Sequence, residues 1–228
     1  MATELPELRD RTRVFRDRRH AGEVLARMLP EGLPTGTRVL AIPAGGLPVA
    51  AALAGALSLP LDVAVVSKVT PSWNPEVGYG AVAFDGRVRI DAEARARLRV
   101  GERESTRDAE RAIAKVRRRV EALRAGRGPL LSPGDTVVLV DDGLATGLTM
   151  ETAVESVREG GAGCVIVAVP TGSADAVRRI GTIADEVFCA NVRGGRIFAV
   201  ADAYERWSDV EEATLAGLLR GGGPGAGA

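Results

Sequence analysis

The stretch VVLVDDGLATGLTM, Val137 to Met150, decides the reading of this chain. Val137 to Val140 form a short aliphatic run bounded by turn-forming residues, the pattern of a strand buried on both faces. The run ends in two adjacent carboxylates, Asp141 and Asp142, followed by the small and hydroxyl residues of Gly143 to Thr149. Met150 to Arg158 is then predicted to be helical, with Glu151, Glu155 and Glu159 spaced four apart. A loop that feeds a helix N-terminus presents free backbone N–H groups and the positive end of the helix dipole. Such a loop holds a phosphate without needing a lysine. Thr146 and Thr149 add hydroxyl donors. Two carboxylates beside it would repel the phosphate, and suit sugar hydroxyls or a cation instead. A ribose 5-phosphate group meets both demands; the plain alternative is a strand-to-helix turn with a solvated acid pair.

This segment resembles the binding motif for phosphoribosyl pyrophosphate (PRPP) of the type I phosphoribosyltransferases, which has an aliphatic strand, two acids and a Thr/Gly loop. The resemblance implies that Asp141 and Asp142 bind the ribose 2- and 3-hydroxyls, and that Ala145, Thr146, Gly147, Leu148 and Thr149 bind the 5-phosphate. Gly143 stands where the family usually has an aliphatic residue or Ser, which would loosen the loop.

Upstream lies a second strand–loop–helix unit: Arg38 to Ile42, then Pro43-Ala44-Gly45-Gly46, then an Ala-rich helix over Leu47 to Leu57. Pro48 is compatible with a first helical turn. The loop either offers amides to a second anion or is a tight turn for close helix–strand packing. By resemblance, Ala44, Gly45 and Gly46 fall at the pyrophosphate loop. A group of uncharacterised family members, similar to this chain along nearly its whole length, has Arg where Ala44 stands; without it a guanidinium contact to pyrophosphate is missing. Leu61 to Val66 is a third strand ending in Ser67-Lys68. Lys68 is a candidate point charge on pyrophosphate, or a solvated strand end.

Residues 71–124 interrupt the alternation of strands and helices. Asp85-Gly86 between Ala81–Phe84 and Arg87–Ile90 is a two-residue hairpin signal, and Arg103 to Leu123 is predicted to be a long amphipathic helix. By resemblance, about 70–125 is a flap that closes over the site and excludes water. Trp73 or Tyr79 is placed to stack on an acceptor ring, Trp73 equally to plug the flap; Glu76 is a candidate acid–base or magnesium-linked group. At the amino end, Met1 to Arg13 is expected to fray and Phe15 to Leu29 to form a helix whose arginines face water, with His20 on the surface. Downstream, Cys164 to Val169 is a strand ended by Pro170-Thr171-Gly172, and Ser173 caps a helix over Ala174 to Ile180. A strand follows over Ala184 to Cys189, and a closing helix over Trp207 to Leu219 with Ser208 as its cap. By resemblance the carboxyl part forms a hood that chooses the base, with Phe198 and Tyr204 as its candidates. Residues 221–228 are low-complexity and expected to be disordered, leaving 1–220 as one domain with its flap.

Thirty basic and thirty acidic residues cancel, so no net positive field favours nucleic acid. Cys164 and Cys189 lie in apolar runs and are expected to be buried reduced thiols. No metal-ligand spacing, signal peptide or membrane-length apolar stretch is evident, which gives a cytoplasmic default and no protein metal site. Nearly all basic residues are arginine; Lys68 and Lys115 are the lysines.

The alternation makes this an α/β chain with a mainly parallel sheet, its ligands at the carboxyl ends of the strands. The resemblance implies a three-layer fold, strand order 321456 with the third strand antiparallel, and a homodimer. It also implies phosphoribosyl transfer from PRPP, carried with magnesium, to a nitrogenous acceptor. Two other readings stay open: a PRPP- or nucleotide-binding regulator without transfer, motivated by Ala44, Gly143 and the scarcity of aromatic residues, and a hydrolase or phosphorylase using the same cradle.

Overall fold

The computed structural model describes residues 2–75, 77–195 and 198–221. In chain order the elements are α1 (Arg18–Met28), β1 (Arg38–Ala41), α2 (Gly46–Leu57), β2 (Leu61–Val63), β3 (Val66–Val69), β4 (Gly80–Ala83) and β5 (Val88–Ile90). Then come α3 (Ala92–Arg97), α4 (Glu102–Arg124), β6 (Thr136–Val140), α5 (Leu148–Glu159), β7 (Cys164–Ser173), α6 (Ala174–Ile180), β8 (Glu186–Arg193) and α7 (Glu212–Gly221). Five strands form a parallel sheet in the order β2-β1-β6-β7-β8. The α/β class and the parallel sheet are as expected. The antiparallel strand expected at the sheet's edge lies elsewhere: β3, β4 and β5 form a separate antiparallel sheet.

The central strand shows why both faces are covered. Successive side chains of a strand point to opposite sides. Val138 and Val140 enter one core with Leu25, Val39 and Leu53, whereas Val137 and Leu139 enter the other with Met150, Val154 and Ile180. Helices α1 and α2 therefore cover one face and α5 and α6 the other. In such a sheet the strand order reverses between β1 and β6, and the loops after them meet at one edge.

Several local expectations are corrected. The amino-terminal segment does not fray: Thr3 bridges Phe188, and the amides of Leu5 and Asp10 bond the carbonyls of Ala190 and Val192. It protects the edge of β8. Strand β7 runs on through Pro170 to Ser173. Pairing with β6 has ended by Ala168, so the missing proline amide removes no ladder bond on that side. The hairpin loop spans three residues, since the Ala83 amide bonds Arg87 and Gly86 takes φ +90°, the glycine-bulge form. The closing helix begins at Glu212, and Ser208 does not cap it. Ser173 does cap α6, accepting the Ala176 amide at 3.2 Å. Both cysteines are free thiols; Cys189 is buried and Cys164 half-buried. His20 is exposed. Among the described residues no helix is long and apolar enough to cross a membrane. Residues 222–228, for which disorder was expected, lie outside the described residues.

Candidate functional site

Strand β6 carries Asp141 and Asp142 to the edge of the sheet, where the loop after β1 packs directly against them. A Cβ on Gly45 would stand 1.9 Å from Oδ2 of Asp142. One on Gly46 would stand 2.7 Å from the Val140 carbonyl and 2.8 Å from Cα of Asp141. The two glycines are thus required by the acid pair. Ala44, Gly45 and Gly46 do not line the cleft in front of it, although Ile42 and Pro43 do. The amides of Ala44 and Gly45 meet no acceptor among the described residues.

The two acids have different surroundings. Arg18 on α1 reaches Asp142, with Nε and Nη2 each 2.9 Å from Oδ2. The guanidinium lies 3.8 Å from the Trp207 ring centroid, and its Nη1 donates to the Ser208 carbonyl at 2.7 Å. Tyr204 donates its hydroxyl to the Asp142 carbonyl oxygen at 2.7 Å. Among the described residues no guanidinium pairs with Asp141; its Oδ1 accepts the Asp142 amide at 2.8 Å. Both carboxyls keep a part-open face, yet burial raises their pKa values. Asp141 is raised well above the usual carboxylate range by burial first and the neighbouring Asp142 charge second, with Lys68 opposing. Asp142 is raised by burial and held back by Arg18.

The loop after the acids is held by its carbonyls. Leu144 bridges Gly172 of β7, its amide donating to Thr171 and its carbonyl accepting from Ser173, both at 2.9 Å. The Ala145 carbonyl accepts from Ser173 Oγ at 2.8 Å, and the Thr146 carbonyl from Arg179 Nη2 at 2.7 Å. In a planar trans peptide the N–H points opposite the C=O. Tying these carbonyls to β7 and α6 therefore turns the Thr146 and Gly147 amides toward the cleft. The amides of Ala145, Thr146 and Gly147 donate to no acceptor among the described residues. Gly147, at φ +80°, is the N-cap of α5, whose first N–H groups and dipole point the same way. Gly143 does not loosen the loop: a Cβ there would lie 2.6 Å from Val200 and 3.1 Å from Thr171. Val200 fills the space that a larger residue would take.

A cavity of 350–370 Å³ lies on each side of Lys68, Asp141 and Thr149, which line both lobes. The first lobe is walled by Asp142 and the whole of Gly143 to Thr149. The second runs beneath β3 to α4. So the structure brings Asp141, Asp142, Lys68, Gly143, Ala145, Thr146, Gly147, Leu148 and Thr149 together around one cleft. It does not bring the aromatic candidates there. Trp73 is 60% exposed, and neither it nor Phe198, whose ring lies under Arg193, lines either lobe. Tyr79 is fully buried, its hydroxyl spent on Asp108 at 2.7 Å, and burial with that carboxylate pushes its pKa up to about 12. Tyr204 is likewise buried and committed to Asp142. Glu76 lies outside the described residues. Arg18, expected in water, is instead 9% exposed and was missed as a site residue. Its signal was there: position 18 shares the α1 face of Gly22 and Leu25.

Residues 35–205 match the family model described as the phosphoribosyl transferase domain. Curated proteins of Mycobacterium tuberculosis strains H37Rv and CDC 1551, each carrying the name "Putative phosphoribosyl transferase", are 36% identical over 214 residues, 91% of this chain and 46% of theirs. The chain thus spans about half the length of these relatives. The solved protein TT1426 of Thermus thermophilus is 37% identical with a TM-score of 0.71, covering 92% of this chain and 99% of its own. A hypothetical protein of Neisseria gonorrhoeae, solved with bound ppGpp, shares the fold at 17% identity and a TM-score of 0.50, over 94% of this chain and 97% of its own. On the extent of the domain match and the identity to these relatives, the chain belongs to the phosphoribosyl transferase family.

Proposed function

We propose that the chain transfers a phosphoribosyl group from PRPP to a nitrogenous acceptor and releases pyrophosphate. The observation that carries this is the set of acceptor-free amides at Ala145 to Gly147, turned into a cleft that Asp141 also lines. The amides and the α5 dipole hold the 5-phosphate, and Asp141 accepts from the ribose hydroxyls. The bond from C1 to the pyrophosphate oxygen breaks, and its electron pair leaves with pyrophosphate. The acceptor nitrogen donates its lone pair to C1 and passes its proton to solvent or to the departing pyrophosphate. Positioning and electrostatics supply the rate, with Lys68 beside the leaving group. The segment at about 70–125 covers the cleft and keeps water from the sugar cation.

Magnesium enters this reading with PRPP. Among the described residues no group of three or more His, Cys, Asp or Glu is placed to hold an ion alone. Mg²⁺ is commonly bound by one or two carboxylates plus substrate phosphates. Asp141, half-buried and not ion-paired among the described residues, fits that partial role. Bound there, the ion would offset charge on the pyrophosphate. A homodimer remains part of the proposal.

A second reading, a PRPP- or nucleotide-binding regulator without transfer, is favoured by one specific observation: Asp142 is already paired with Arg18. Incubation with PRPP, Mg²⁺ and a panel of nitrogenous acceptors decides between them. Pyrophosphate release that needs an acceptor supports transfer, and release without one points to hydrolysis. Tight PRPP binding without release across the panel sinks transfer and leaves the regulator.

A further inference from the structure

The chain has four phenylalanines, two tryptophans and two tyrosines, and none of them lines either lobe of the cleft. Phe15 and Phe188 lie in the core, Phe84 packs against it, and Trp207 stacks on Arg18. Stacking on an aromatic face is a general way to hold a base, and neither lobe offers one. Side-chain amides, which both donate to and accept from a base edge, are missing there too. The chain has no glutamine, and its asparagines, Asn74 and Asn191, line neither lobe.

Displacement at C1 brings the acceptor in opposite the departing pyrophosphate. With pyrophosphate beside Lys68, the acceptor has to enter past the acid pair, where the first lobe is closed by Gly143 and Val200. A Cβ on Gly143 would lie 2.6 Å from Cγ1 of Val200 and 2.8 Å from its Cγ2, so the valine occupies that place. Val200 opens the 3-10 turn Val200–Ala203, and Tyr204 directly after it donates to the Asp142 carbonyl at 2.7 Å. That bond fixes Val200 against the acids. The volume of this lobe, 370 Å³, is at the small end of the roughly 300–1,000 Å³ of clefts that take drug-sized molecules, and a sugar phosphate fills part of it. A larger groove of 1240 Å³ adjoins the phosphate loop at Ala145, Thr146 and Leu148, but Asp141, Asp142, Gly143 and Val200 do not line it. The extra room therefore lies beside the phosphate and not beside C1.

We infer that Val200 is the specificity-determining residue for the acceptor, and that the acceptor is a compact non-aromatic amine, ammonia or a short alkylamine, rather than a nucleobase. The inference rests on the phosphoribosyl-transfer reading and names its acceptor class. The amine lone pair forms the C1–N bond as the C1–O bond breaks, and pyrophosphate leaves with that electron pair. The amine proton passes to solvent or to pyrophosphate.

The test measures acceptor-dependent pyrophosphate release from PRPP and Mg²⁺ at mildly alkaline pH, where free amine is present. The acceptors are ammonia, methylamine, butylamine, adenine and uracil; the proteins are the full chain, Val200→Ala and Val200→Leu, each checked for folding by circular dichroism. Release by the wild type with ammonia or methylamine, about tenfold or more above that with either base, supports the inference. Val200→Ala should raise kcat/KM for butylamine relative to ammonia by about tenfold, and Val200→Leu should lower it. A wild type that uses adenine or uracil at least as well as the amines overturns the inference and leaves the transfer reading standing. A butylamine-to-ammonia ratio unchanged within about twofold in the folded variants overturns the role of Val200. No release with any acceptor, although PRPP binds in a parallel titration, overturns the transfer reading and this inference with it.

Discussion

Arg18 and Asp142 stand 124 residues apart in sequence and meet at 2.9 Å, with the arginine 10% and the aspartate 15% exposed at the side chain. The pair joins α1 to the acid end of β6. Through Trp207 and the Ser208 carbonyl it also pins the segment before α7. One acid of the pair is thereby neutralised, and Asp141 remains as the carboxylate open to a ligand.

Removing one partner of a buried ion pair costs more than removing both, because a lone charge is left behind. Arg18→Met is expected to destabilise the chain by about 3 kcal/mol, measured by urea unfolding. The double change Arg18→Met with Asp142→Asn should recover a substantial part of that loss. A double-mutant cycle with no coupling would mean that the pair contributes nothing to stability.

Partial burial of Asp141 beside the Asp142 charge carries a stability cost. Its pKa in the fold is raised from the ordinary 3.8. The folded state therefore binds its proton more tightly than the unfolded state. Stability from this group is fully present below pH 3.8 and is lost as the pH rises through the raised value. Asp141→Asn removes that penalty. Its thermal midpoint should exceed the wild type's by on the order of 2–4 °C at neutral pH, with the advantage vanishing toward pH 3.8. An advantage independent of pH would show that ionisation is not the cause.

Gly45 and Gly55 make a controlled pair. A Cβ at Gly45 would collide with Oδ2 of Asp142, whereas one at Gly55 would meet nothing within 4 Å. Gly45→Ala is expected to cost roughly 2 kcal/mol or more and to displace the acid pair. Gly55→Ala, inside α2, should stabilise by about 0.5–1 kcal/mol. Differential scanning calorimetry of the two variants checks both signs.

Glu151, buried on α5, pairs with Arg89 of the hairpin at 3.1 Å and with Arg179 of α6 at 2.9 Å. Arg179 in turn holds the Thr146 carbonyl that aims the loop. Glu151→Ala should cost about 1 kcal/mol of stability, since both arginines are partly exposed. It should also weaken ribose 5-phosphate binding several-fold. Unchanged binding, read by titration, would free the loop's geometry from this network.

That the acid pair and the loop after it wall one cleft was legible because these residues are neighbours along the chain. The buried strands were legible because every residue of Val137 to Val140 is apolar. What escaped is long-range. Arg18 looked like a solvent-facing charge: its position on the α1 face of Gly22 and Leu25 marks it as inward, but nothing near it in sequence announces its partners Asp142 and Trp207. The amino-terminal segment looked loose because its partner is the edge of β8, nearly the whole chain away. Pro170 looked like a strand end, since its harmlessness depends on where β6 stops pairing. Tyr79 looked available for stacking until Asp108 of α4 claimed its hydroxyl.

The central claim is that the amide loop after β6 seizes a phosphate while Asp141 clasps the sugar that carries it. Isothermal titration of PRPP with Mg²⁺ into the wild type and Asp141→Asn tests it most directly. Saturable binding by the wild type is predicted, weakened by about tenfold or more in the folded variant. No heat of binding with the wild type, or equal affinity in both, would contradict it.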